Sequence, residues 1–473
     1  MLEQHGQLDR EISSVEFDSR AVQADSLFVA VGGTRVDGHD YLPAAEERGA
    51  SALLVERMPA ERKDGLTYLR VENSQAVLGR VIANFYDNPA EELVVVGVTG
   101  TNGKTTVATL LHQLFTQMGV KAGLVSTIRY QIGEEELLST HTTPDPKQLH
   151  QLFRQMVEAG CEVCFMEVSS HALTQHRTAG IPFKAGLFTN LTHDHLDYHG
   201  TFKAYLQAKK LLFDGLGKRS VAIVNIDDRN GKVMVQNTQA KVATYSLRSM
   251  ADYRARILEN TFDGLLLEID GEQVWFRLRG SFNASNLLVA YATAVELGYE
   301  DKEVLQALST VSGAEGRFQI VGSPGEQKTG IVDYAHTPDA LKNVLQTVRD
   351  VSQGQNRVIT VVGCGGNRDR AKRPEMARIA TELSEKVILT SDNPRDEDPE
   401  AILDEMMTGV TPESQARVLR ITARREAIRT AVALSQPGDV ILVAGKGHET
   451  YQEIKGTRHP FDDREILREA MNT

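Results

Sequence analysis

Short runs of apolar, largely β-branched residues alternate along the chain with longer stretches whose apolar positions recur at helical spacing, which predicts a series of βα units. The clearest unit spans residues 93–119. Residues 93–98 read Leu-Val-Val-Val-Gly-Val, a run suited to a strand buried on both faces. After Lys104, apolar Val107, Leu110, Leu111, Leu114, Phe115 and Met118 recur at helical spacing, and Gly119 offers a left-handed stop. Between strand and helix lies Thr99-Gly100-Thr101-Asn102-Gly103-Lys104-Thr105-Thr106. In that context backbone N–H groups and a helix N-terminus converge on an anion. Lys104 would reach the outer phosphates of a nucleotide and Thr105 would ligate Mg²⁺. The spacing departs from the general G-x-x-x-x-G-K-[ST] pattern, because Val98 and Thr99 stand where its first glycine is expected, leaving a tighter Gly100-x-x-Gly103-Lys104-Thr105. An ordinary turn with a surface lysine is the plain alternative, and ATP binding is the expectation.

The same periodicity divides the chain into three α/β units. Residues 1–90 predict a small module with strands near Ser26–Val31 and Ala52–Val55 and a helix over 41–50. Little precedes Asp18, which suggests a missing N-terminal element, and Asp87-Asn88-Pro89 marks a linker. In residues 91–318, apolar runs end in polar clusters: Cys164–Met166 in Glu167-Val-Ser-Ser-His171, Ala185–Phe188 in Thr189-Asn190, and Val221–Val224 in Asn225 and Asp227-Asp228. Ligands of an open parallel sheet sit beyond the carboxyl ends of its strands, so these clusters should gather near Lys104. Glu167 is then a metal candidate. Residues 319–473 repeat the pattern at 331–336, 358–370, 387–395 and 440–449, predicting a second, Rossmann-like sheet. Gly363-x-Gly365 lacks the third glycine of a dinucleotide fingerprint, Arg368 standing in its place, so no nicotinamide cofactor is expected. Arg368, Arg395 and Glu449 suit a zwitterionic amino acid, through carboxylate pairing and ammonium contact.

Two clusters leave alternatives open. Asn190-Leu-Thr-His193-Asp194-His195-Leu-Asp197-Tyr198-His199-Gly200 is dense in histidines and acids. An H-x-H-x-D-H reading would mean a two-metal hydrolase, but Tyr198 occupies the place of its last histidine. Asn283 and Asn286 open another helical stretch, where either would cap the helix or hold an adenine.

The 473 residues have length for roughly three domains, and a formal net charge of −12 argues against a nucleic-acid-binding surface. No charged-then-apolar leader and no apolar run near ~18 residues is seen, so neither membrane attachment nor secretion is expected, and the cytoplasm is the expected location. Three cysteines, Cys161, Cys164 and Cys364, cannot build a disulfide framework, and Cys161-x-x-Cys164 reads as buried strand rather than a metal or redox pair.

Taken in order, 99–106, Glu167-Val-Ser-Ser-His171, Asn190-x-x-x-Asp-His-Leu-Asp-Tyr-His-Gly200, Asn283-x-x-Asn286, Gly316-Arg317-Phe318 and Asp333-Tyr-Ala-His336 resemble the Mur ligases, ATP-dependent amide-forming enzymes of peptidoglycan synthesis, over almost the whole chain. The resemblance implies an α/β protein of three domains: residues 1–90 binding a UDP-sugar, a central P-loop ATPase-like parallel sheet over 91–318, and an amino-acid-binding domain over 319–473. It is nearest the members that add meso-diaminopimelate to UDP-N-acetylmuramoyl-L-alanyl-D-glutamate, because Asp392-Asn393-Pro394-Arg395 has their form. Diaminopimelate differs from lysine by a distal carboxylate that a guanidinium pairs with.

By the same matching, Arg368, Gly445 and Glu449 complete the amino-acid pocket, and Ser19 lies near the uridine diphosphate. Thr142, Thr143, Ser169, Gln175 and Arg177 grip the muramoyl dipeptide, with His141 where many relatives carry Asn. Gly100, Thr101, Asn102, Gly103, Lys104, Thr105, Thr106, Asn286, Arg317, Asp333 and His336 attend ATP. Lys209 matches a lysine carried as a CO₂-derived carbamate, which would join Glu167 and His195 around one Mg²⁺, with a second on Thr105. The implied chemistry passes through an acyl phosphate, with closure of the third domain over the second, in a monomer. Folylpolyglutamate synthase, a related ligase, and a catalytically idle nucleotide-binding scaffold are the competing readings.

Overall fold

The computed structural model describes residues 1–33, 36–322 and 328–472. Its central sheet has eleven strands, of which seven neighbours run parallel, from Tyr253–Asn260 at one side to Ala122–Val125 at the other. Val94–Thr99 lies mid-sheet, parallel to Val163–Glu167 on one side and Ala185–Phe188 on the other. Its apolar run serves two cores at once. Val96 and Val98 pack under the helices Lys104–Gln117 and Ser281–Glu296, while Val95 faces the layer formed by Pro146–Glu158 and Phe202–Asp214. Alternate side chains of a strand point to opposite faces, so a sheet covered on both sides calls for an uninterrupted apolar strand. Leu111, wholly buried in the first of these cores, would cost about 2–5 kcal/mol if cut to Ala.

The helix after the phosphate-loop strand begins at Lys104 and ends at Gln117, with Gly119 at φ +81°. Loops at the carboxyl ends of Val94–Thr99, Val163–Glu167 and Ala185–Phe188 therefore meet at one rim, where the chain switches direction through the sheet.

The C-terminal sheet has six strands, with Thr329–Asp333, Val440–Ala444, Val358–Val362, Lys386–Leu389 and Val418–Arg420 parallel in that order and Gln319–Val321 antiparallel at one edge. Helices cover both faces. The N-terminal sheet has five strands, four of them parallel. The strands Glu3–His5 and Ser14–Glu16 lie before Asp18 and form both its edges, which corrects the reading that little structure precedes Asp18.

The N-terminal sheet is tied to the central one by Lys147, whose Nζ donates to the buried Glu16 at 2.6 Å, and by Arg154, which donates to Tyr86 O at 2.9 Å. Cys161, Cys164 and Cys364 are free and buried, and no described helix is long and apolar enough to cross a membrane.

Candidate active site between the central and C-terminal sheets

The rim of the central sheet and the rim of the C-terminal sheet face each other across a cavity of about 380 Å³. The phosphate loop forms one wall. Gly103 adopts φ +89°, and a Cβ there would lie 2.8 Å from Asn286 Oδ1, so only glycine fits the turn. Asn286 thus supports the loop from below, and its Nδ2 donates to Asn283 Oδ1 at 3.0 Å. Neither asparagine caps its helix, which starts at Ser281 with Gly280 before it and no side-chain cap; this corrects the capping alternative.

Lys104 Nζ donates to Gly100 O (2.9 Å) and Thr101 O (2.8 Å), and burial lowers its pKa while Glu167 and Asp194 oppose that fall. Lys209 is buried to 1% exposure; its Nζ donates to Gly100 O at 2.7 Å and sits 4.7 Å from the Tyr205 ring centroid. Burial, and then the charge of Lys104, push its pKa far below the usual lysine value. A neutral amine is the form that reacts with CO₂, so this environment fits a carbamate. The neighbouring Lys210 is instead paired with Asp214.

Glu167 is wholly buried at the end of its strand. One oxygen accepts from the Thr127 N–H at 2.7 Å, and Oε2 is buried without a hydrogen-bond partner among the described residues. An orphaned carboxylate oxygen on a side chain that lines the same cavity as Lys104 and Thr105 fits a hard cation. Among the described residues no three or more His, Cys, Asp or Glu side chains converge as a metal set. A cation there would therefore complete its shell with hydroxyl, carbamate, phosphate or water oxygens. His195 has φ +53° and its Nε2 lies 3.4 Å from Asp194. Burial pushes its pKa well below the usual imidazole value, leaving the neutral form that ligates metals.

The C-terminal sheet supplies the opposite wall. Arg317 stacks on the Tyr334 ring at 4.5 Å and its Nη2 donates to Thr105 Oγ1 at 3.1 Å, crossing the cleft. Asp333 Oδ2 accepts from the Phe318 N–H at 2.6 Å, and burial raises its pKa to about 6. His336 Nδ1 lies 2.9 Å from Tyr334 O. Arg368 also lines the cavity, exposed and with no hydrogen bond or ion pair among the described residues. Arg395, at φ +52°, donates to Gly366 O at 2.8 Å and lies 3.6 Å from Glu453. Gly445 adopts φ +120°, and a Cβ there would meet Asp392 Oδ2 at 2.5 Å.

The cavity wall thus unites Thr101, Asn102, Gly103, Lys104, Thr105, Thr142, Glu167, Ser169, His195, Lys209, Arg317, Asp333, His336, Arg368, Asp392, Asn393, Arg395, Gly445 and Glu449. Gly100, Thr106, Thr143, Gln175, Arg177, Asn286 and Pro394 stand behind it or beside it. Thr143 Oγ1 donates to Glu167 O (2.8 Å) and accepts from the Ser169 N–H (3.1 Å), and Arg177 donates to Thr143 O (2.8 Å) and to Gln175. Ser19 lies apart, in the short helix Ser19–Ala21 between the N-terminal strands Ser14–Glu16 and Ser26–Val29. Sequence reasoning did not single out Lys446, Tyr334 or Asp339. Lys446 had the glycine-rich Gly445-Lys-Gly447-His448-Glu449 loop as a signal; Asp339 had none.

Family models cover most of the chain: the one described as the Mur ligase family catalytic domain matches residues 11–86, the Mur ligase middle domain 98–294, and the Mur ligase glutamate ligase domain 316–447. A protein of Cytophaga hutchinsonii, named UDP-N-acetylmuramoyl-L-alanyl-D-glutamate–2,6-diaminopimelate ligase, is 53% identical over 99% of this chain and 96% of its own. The chain belongs to the Mur ligase family. A Bacteroides fragilis protein of the same name is 52% identical to this Mur ligase over 99% of this chain and 96% of its own. A solved structure of a diaminopimelate ligase with that name superposes with a TM-score of 0.70 at 34% identity, covering 98% of this Mur ligase and 97% of that chain.

Proposed function

We propose that this Mur ligase joins meso-2,6-diaminopimelate to the D-glutamyl side-chain carboxylate of UDP-N-acetylmuramoyl-L-alanyl-D-glutamate, using ATP, in peptidoglycan synthesis. The observation that carries the reading is the facing of two chemically distinct walls across one cavity: Lys104, Thr105 and the free Glu167 oxygen on one side, and Arg368, Arg395, Asp392 and Glu449 on the other. The first suits phosphoryl transfer and the second a zwitterion with an additional carboxylate. The names of the relatives point the same way. Residues 1–90 would hold the uridine nucleotide, 91–318 ATP and 319–473 the amino acid.

A carboxylate resists attack by an amine until its oxygen becomes a leaving group. In the proposed sequence the glutamyl carboxylate oxygen attacks the γ-phosphorus of ATP, the bond to the β–γ bridging oxygen breaks, and ADP departs. The amine of diaminopimelate then adds to the acyl-phosphate carbonyl. The tetrahedral intermediate collapses with loss of phosphate and a proton. Lys104 and Arg317 hold the phosphates and offset charge on the transferring group, while Arg395 and Arg368 hold the amino acid's carboxylates. Thr105, Glu167, His195 and a carbamate on Lys209 would hold Mg²⁺, which when bound neutralises phosphate charge.

The test is phosphate release by purified protein with each substrate omitted in turn, and the mass of the product. Release that needs all three substrates, with one diaminopimelate added to the nucleotide, is expected. Release with a folate acceptor instead would move the protein to the folylpolyglutamate reading, and none under any condition would support a scaffold.

A further inference from the structure

Lys446 is a fully buried cation that the reaction above does not use. Its Nζ donates to Asn393 Oδ1 at 2.9 Å and to Glu449 Oε2 at 2.8 Å. Asn393 Nδ2 donates to the same Glu449 oxygen at 2.8 Å, and Asn393 Oδ1 also accepts from the Glu453 N–H at 2.9 Å. Lys446, Asn393 and Glu449 therefore form a closed triangle. Glu449 Oε2 is held by two donors, while its other oxygen makes no hydrogen bond among the described residues and belongs to a side chain on the cavity wall.

Asp392 repeats the arrangement, with Oδ1 accepting from the Asn393 N–H at 2.7 Å and Oδ2 turned toward Gly445. Burial and the neighbouring Asp392 charge make ionisation of Glu449 costly. Arg424, buried behind them, is committed to Asp463 at 2.7 Å and to Ala444 O. Lys446 is the cation in direct contact with Glu449.

We infer that Lys446 is a positioning residue for the incoming amino acid: it fixes one oxygen of Glu449 so that the other, as a carboxylate, meets the non-reacting ammonium. The inference rests on the proposed reading that the cavity takes a diamino acid. Burial and then Asp392 raise the Glu449 pKa, and Lys446 opposes them. The other titratable or charged groups facing Glu449 are Tyr334, Tyr451 and Arg424. Removing the lysine charge leaves the Asn393 hydrogen bond to weigh alone against burial and Asp392 among the contacts of this triangle, so Glu449 protonates at a higher pH.

The experiment is steady-state kinetics of Lys446→Met and wild type across pH, with diaminopimelate and ATP varied separately. Lys446→Met should raise KM for diaminopimelate by at least ~10-fold, the loss expected for a charged hydrogen bond. KM for ATP should stay within about twofold, since Lys446 contacts no group of the phosphate loop. The acid limb of kcat/KM for diaminopimelate should move to higher pH in Lys446→Met. In a Glu449→Gln background the same substitution should move no limb. Should Lys446→Met fail to fold, Lys446→Gln keeps an N–H donor without the charge and reads the same limb. Normal wild-type turnover with an unmoved limb and unchanged KM in the variants overturns this inference alone. Absence of turnover by wild type with diaminopimelate overturns the functional reading and this inference together.

Discussion

Asn102 Nδ2 donates to Asp339 Oδ2 at 2.9 Å, joining the phosphate loop of the central sheet to the first turn of the helix Pro338–Val351 on the C-terminal sheet. The same oxygen accepts from Thr192 Oγ1 at 3.1 Å, in the loop beyond the neighbouring strand, and from Asn343 on its own helix at 3.1 Å. One carboxylate thus registers two loops of one sheet against a helix of the other. Asp339→Ala should cost about 1–3 kcal/mol, because polar partners lose their acceptor in a half-buried contact. It should also raise KM for ATP, since Asn102 belongs to the loop that cradles phosphate. Denaturant unfolding with nucleotide titration checks both; an unchanged KM would separate the contact from nucleotide binding.

The C-terminal sheet contains an ion pair, Arg424–Asp463, with both side chains fully buried. Arg424→Leu leaves a buried carboxylate unpaired and should destabilise by about 3–5 kcal/mol. The double variant Arg424→Leu/Asp463→Leu should recover most of that loss. Urea melts of wild type, both single variants and the double variant are the measurement, and additive losses in the double variant would contradict the account.

Asp333 introduces a pH dependence of known sign. Its folded-state pKa lies near 6, raised by burial from an ordinary 3.8. Between those values the folded chain binds more protons than the unfolded one, so this carboxyl's contribution to stability falls as pH rises from about 4 to 6 and is fully lost above that window. Asp333→Asn does not titrate and should lack that decline. Melting curves of the two chains that stay parallel across the window would refute it.

Lys209 distinguishes a carbamate from a simple ammonium. If the buried amine acts as a carbamate, Lys209→Arg should be as impaired as Lys209→Ala, by roughly a hundredfold or more in phosphate release, and added bicarbonate should stimulate wild type alone. Substantial activity in Lys209→Arg would show that a cation suffices.

Much of this organisation is legible in the amino-acid sequence, for a physical reason. A strand covered by helices on both faces has no polar alternation, so Val358–Val362 appears as a β-branched run with only the buried Thr360 among its apolar residues, and it is found at those bounds. Its polar loop then identifies the rim where ligands bind. The strands at the flanks of the central sheet lack that signature. Arg129–Ile132, Glu135–Leu138 and Glu272–Phe276 mix polar with apolar residues and extend the sheet in antiparallel hairpins that no apolar run announces. The site divides the same way. Lys104, Glu167 and Arg395 sit in motifs with local meaning, whereas Asp339 matters through Asn102, far away in sequence, and Lys446 through Glu449 and Asn393, whose meeting depends on how strands stack side by side.

The central claim is tested most directly by ADP release with Mg²⁺, ATP and the UDP-muramoyl dipeptide, comparing meso-diaminopimelate with L-lysine in wild type and in Arg395→Ala. The account predicts turnover with diaminopimelate and little with lysine, and loss of the diaminopimelate reaction in the variant, because the guanidinium pairs with the carboxylate that lysine lacks. Equal or better turnover with lysine in wild type, or undiminished diaminopimelate turnover in Arg395→Ala, would contradict it.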